Sequence, residues 1–133
     1  MSTWLTDQQI IDAVDAAVAE KGADYTYERG EPMDPDEGAP SCLYVHGDKP
    51  GCIVGNAMHR LGIDLATLRE SEGRSAGGLL IDLRDKQGYH ASMWAQDFLD
   101  AVQHQQDNGE TWGDAVAEGR IRADRAHRFR GVE

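Results

Sequence analysis

Large aliphatic side chains are scarce in this chain. Leu, Ile, Val and Phe together make 24 of its 133 residues, 18%, and alongside a net charge of −11 that approaches the composition of disordered chains. Basic residues are outnumbered, 13 against 24 acidic, which argues against a general binder of nucleic acid or of anionic membrane. No apolar run approaches the ~18 residues of a membrane span. The two cysteines are too few for a disulfide scaffold. The N-terminal stretch Met-Ser-Thr-Trp-Leu-Thr-Asp carries neither a basic patch nor an apolar segment, so a cytoplasmic location and free thiols are expected.

What is present is periodicity. Three Trp and four Tyr add apolar bulk, and the apolar positions recur at helical spacing. Thr6-Asp7-Gln8-Gln9 fits a capping box ahead of Ile10, Val14, Ala17 and Val18, and Gly22 is a natural stop. This predicts a helix over 6–21. Further helices are expected over 52–61, 64–70, 90–108 and 112–118, and residues 76–87 lean to helix because Leu and Ala dominate. Tyr25-Thr26-Tyr27 and Leu43-Tyr44-Val45 have strand-like composition and suggest at most a minor hairpin. The segment between them, with three prolines and two glycines, reads as a loop. The expected fold is a mostly α, compact single-domain bundle of about five helices. Its core would hold Val14, Val18, Ile53, Ala57, Leu61, Trp94, Phe98 and Val102. Trp112 is expected to pack over the turn before it.

Cys52 is the first residue with chemical potential. It stands at a predicted helix N-terminus, where orphan N–H groups and the dipole favour a thiolate. As a nucleophile it would recruit an imidazole, His59 or His90; His90 is expected to open a helix. A metal site is the second arrangement, because Cys42, His46, Cys52 and His59 are spaced C-x3-H-x5-C-x6-H and could hold zinc tetrahedrally. That spacing matches no common zinc module. The expectation is therefore no metal, no cofactor and no catalytic residue, with Cys52 a small buried side chain. A Cys42–Cys52 disulfide is the remaining arrangement for the sulfurs. The acidic stretch Asp34-Pro35-Asp36-Glu37 lacks the later ligands of a calcium loop and reads as a solvated surface, available for contact. Trp4, near a chain end, is the candidate aromatic anchor of an interface.

Charge is unevenly spread. Residues 1–118 carry 8 basic and 22 acidic groups, whereas residues 119–133 carry 5 basic and 2 acidic. This divides the chain into an acidic helical domain, 1–118, and an Arg-rich C-terminal tail, 119–133, expected to pack on that domain with its arginines paired to acidic groups.

Two resemblances bear on function. Gly51-Cys52-Ile53-Val54-Gly55-Asn56-Ala57-Met58-His59 looks like the cysteine-bearing helix of NlpC-type cell-wall amidases, over about one helix; Ile53-Val54 replaces the small pair that follows the cysteine there. Separately, the opening helix, the Cys-x-x-Gly start at Cys52–Gly55, and Gln106-Asp107-Asn108-Gly109-Glu110-Thr111-Trp112 leading into Ala115-Val116 resemble small helical proteins of actinobacteria and their phages, a group without an assigned activity. That resemblance implies an actinobacterial or phage source, as does the preference for Arg over Lys, ten to three. The expected function is a small acidic cytoplasmic module, protein-binding or regulatory and without catalysis, whose partner is a protein, with a basic one fitting the charge, rather than nucleic acid or membrane. Two alternatives stand beside it: a cysteine-dependent hydrolase or amidase with Cys52 as nucleophile, and an acidic mimic of nucleic acid that inhibits a DNA-binding protein.

Overall fold

The computed structural model describes residues 3–27 and 43–128. Among them the fold is mostly helical, with helices α1 (Asp7–Lys21), α2 (Ile53–Arg60), α3 (Leu65–Glu70), α4 (Ala76–Gln87), α5 (Met93–Asp107) and α6 (Trp112–Arg128). Four two-residue strands accompany them: β1 (Thr3–Trp4), β2 (Val45–His46), β3 (Lys49–Pro50) and β4 (Tyr89–His90).

Local sequence explains most helix starts. The capping box of α1 forms as expected: the Gln9 amide donates to Thr6 Oγ1 at 3.1 Å and the Thr6 amide to Gln9 Oε1 at 2.8 Å. Asp64, Ser75 and Ser92 cap α3, α4 and α5 with one-way bonds, their side chains accepting the amides of Thr67, Gly78 and Ala95. Residues 76–87 are helical, α4 itself.

The strands depart from expectation. The antiparallel hairpin pairs β2 with β3 around Gly47-Asp48, not 25–27 with 43–45. Thr26 instead bridges Thr111, and the Trp112 amide donates to the Tyr25 carbonyl at 2.7 Å. β1 and β4 form a parallel pair, Trp4 opposite His90. His90 therefore lies in a strand, and α5 begins only at Met93. The backbone acceptors Gly88 and His90 receive the amides of Thr3 and Leu5 at 2.7 and 2.8 Å, and this satisfies the strand edge better than an extra helical turn would.

α6 extends through the boundary expected near residue 118 and folds back along α5. Its buried residues are Trp112, Ala115, Val116, Gly119 and Ala123. A Cβ at Gly119 would lie 2.5 Å from Val102 Cγ2, so the small side chains let the two helices approach closely. Further along, Trp94 Nε1 donates to Asp124 at 2.9 Å and His127 Nε2 sits 2.7 Å from Asp97. Arg122 pairs with Glu118 on α6 itself, and neither Arg120 nor Arg125 enters an ion pair among the described residues.

Val14, Ile53, Ala57, Phe98 and Val102 are core, as expected, while Val18, Leu61 and Trp94 are half-buried against it. Trp94 stacks on Phe98, ring centroids 5.0 Å apart. Trp112 is wholly buried rather than laid over a turn, with Tyr44 and Phe98 the other largest interior side chains.

Candidate functional site

Cys52 does not carry a thiol. It is fully buried and disulfide-bonded, and Cys42 is the chain's only other cysteine. The expectation of two free thiols is thus corrected. With the Cys52 sulfur committed to a covalent bond, no thiolate remains there to attack a carbonyl or bind zinc. The helix start that seemed poised for a nucleophile is otherwise occupied: the Ile53 amide donates to Gln106 Oε1 at 2.9 Å, and Asn56 Nδ2 donates to the carbonyls of Gly51 and Cys52.

The histidines are dispersed. His59 is exposed, its Nδ1 3.1 Å from the Ile63 carbonyl. His90 stacks on Trp4. His46 Nε2 lies 2.6 Å from the Tyr27 hydroxyl, and burial pushes the Tyr27 phenol up to about 12; the hydroxyl also accepts the Leu43 amide at 3.2 Å. Among the described residues no cluster of three or more His, Cys, Asp or Glu could hold a metal ion. Cys42, Asp34, Asp36 and Glu37 lie outside the described residues.

The polar centre that sequence reasoning missed is the junction of α4 and α5. A groove of about 330 Å³ there is lined by Arg74, Ser75, Asp100, Gln103, His104 and Asp107, among others. Two of its lining residues hold the buried Tyr44, whose hydroxyl donates to the Arg74 carbonyl at 2.5 Å and accepts from Gln103 Nε2 at 3.1 Å; burial pushes this phenol too up to about 12. The α4 N-terminus points at the groove, but its donors are taken. The amides of Ala76, Gly77 and Gly78 donate to Gln103, Asp100 and Ser75 at 2.8, 2.7 and 3.1 Å. Asp100 stands where an incoming anion would sit. Burial holds it above the usual carboxylate range against the pull of the Gly77 amide. Asp100, Gln103 and Asp107 at helical spacing on α5 were the available signal, but polar residues on a helix ordinarily mark a solvated face. Glu72 likewise serves structure, accepting the amides of Tyr44 and Val45 at 3.2 and 3.0 Å.

At the other end of the molecule lies an exposed aromatic pair. Trp4 is 64% exposed and stacks on His90, centroids 5.1 Å apart and planes inclined 26°. Met93, 55% exposed, follows at the start of α5. No model of a known protein family, no curated protein and no solved structure matches the chain. No helix of the described residues is long and apolar enough to cross a membrane.

Proposed function

We propose that this protein is a small interaction or regulatory module without catalysis of its own, and that Trp4 anchors its protein partner. The observation that carries the reading is the exposed Trp4 ring held against His90. A large apolar face already fixed in orientation loses little side-chain entropy on binding, the property that puts tryptophan among interface anchors. The disulfide at Cys52 weighs against the cysteine hydrolase. The net charge of −11 favours a basic partner, with Asp34, Asp36 and Glu37 as further contacts. An actinobacterial or phage source rests on the resemblance and codon-biased composition. Disulfides persist in oxidising surroundings, so we place the working location outside the reducing cytoplasm that the sequence led us to expect.

The test is affinity capture from an extract of the native host with wild type and Trp4→Ala, compared at equal melting temperature. A protein retained by the wild type and reduced about tenfold or more by the variant, a loss of ~1.4 kcal/mol, supports the reading. A partner held equally by both, or none held by the wild type, overturns it.

A further inference from the structure

The outer side of α6 carries a second groove, of about 380 Å³, against the end of α5. Its apolar strip is Ala117 and Ile121, the latter 45% exposed. Around the strip lie Glu110, Asp114 and Glu118. The groove's one lining cation, Arg122, is held by Glu118 at 3.1 Å and, with the Gln105 amide oxygen turned towards it, by Gln105 at 2.9 Å. Glu110 and Asp114 enter no ion pair among the described residues. The face thus presents an unpartnered isoleucine with uncompensated negative charge to one side.

We infer that this groove docks a basic amphipathic helix of a protein partner, which lays an apolar side chain on Ile121 and a Lys or Arg against Asp114. The inference rests on the proposed reading as an interaction module and gives the partner a chemistry. Asp114 and Ile121 are seven residues apart on one helix, about 10 Å along its axis. The complementary helix therefore carries its apolar and basic residues two turns apart on one face, at i and i+7. The apolar strip supplies contact area, and the carboxylates set register and speed of encounter. A helix with the same composition but its lysines on the far face would gain only the general attraction of an acidic protein.

The probe is a synthetic 14-residue helical peptide with leucine and lysine at i and i+7, against a peptide of identical composition with the lysines moved to the opposite face. Wild type is expected to bind the first about tenfold more tightly, and both Ile121→Asn and Asp114→Asn to reduce that preference to near unity. Asp15→Asn, an exposed position on α1 with the same loss of charge, should leave the preference intact. Asp114→Asn alone decides the matter if Ile121→Asn does not fold. Equal binding of the two peptides, or an equal effect of Asp15→Asn and Asp114→Asn, overturns the docking groove. Either result leaves Trp4-dependent capture standing, so the two proposals fail separately.

Discussion

At Gly55 the backbone of α2 touches that of the β2 approach: a Cβ there would lie 2.2 Å from the Tyr44 carbonyl oxygen. This is the physical content of the Cys-x-x-Gly start. Gly55→Ala is expected to cost about 1–3 kcal/mol through overpacking, read by urea denaturation. Cys52 makes a second prediction. With Cys52 disulfide-bonded and no free cysteine among the described residues, alkylation of the unfolded chain without reductant should label neither sulfur, and reduction should lower stability by about 2–4 kcal/mol. Asp100 gives a third, with a definite sign. Its folded-state pKa is raised, so the folded protein holds that proton more tightly than the unfolded chain does. The contribution favours folding at acid pH and is lost as pH rises through the raised value. Asp100→Asn keeps an acceptor for the Gly77 amide but never ionises. Its stability relative to wild type should therefore increase from about pH 4 to pH 7; a difference independent of pH would refute the assignment.

Among the elements, α6 shows most clearly what a sequence hides. Arg120, Arg122, Arg125 and Arg128 give its second half the look of a charged tail, while the buried residues described beyond Val116 are Gly119 and Ala123, too small to register as an apolar stripe. Gly119→Val should cost about 1–3 kcal/mol against Val102. Because Gly119 and Ala123 pack this half against the core and neither Arg120 nor Arg125 enters an ion pair among the described residues, the loss of melting temperature on removing residues 119–133 should be the same at low and high salt; a loss that shrinks with salt would restore the ion-pair explanation. The cap at Thr6 and the stop at Gly22 were legible because they are local. The two-residue strands were not, since β1 and β4 exist only through pairing across the fold. Trp4 stood out in the sequence and is exposed in the fold; the α4–α5 groove was not legible, because Gln103 and Gln106 are polar side chains buried to serve distant amides. Tyr44 is core for a similar reason, its hydroxyl finding partners inside.

For the molecule as a whole, α5 is the element on which the others close. Its side chains accept the first free amides of two different helices, Gln106 for α2 and Asp100 and Gln103 for α4. The amides of Ile53, Ala76 and Gly77 should accordingly show hydrogen-exchange protection rising and falling together. Gln106→Ala should raise exchange at Ile53 first, and unchanged exchange there would refute the link. The arrangement also has a direction in time. These donors precede their acceptors by 53, 27 and 23 residues, so a chain growing from its N-terminus makes three amides whose partners do not yet exist. α2 and α4 emerge from the ribosome open-ended, and the fold can be sealed only after α5 has followed them out.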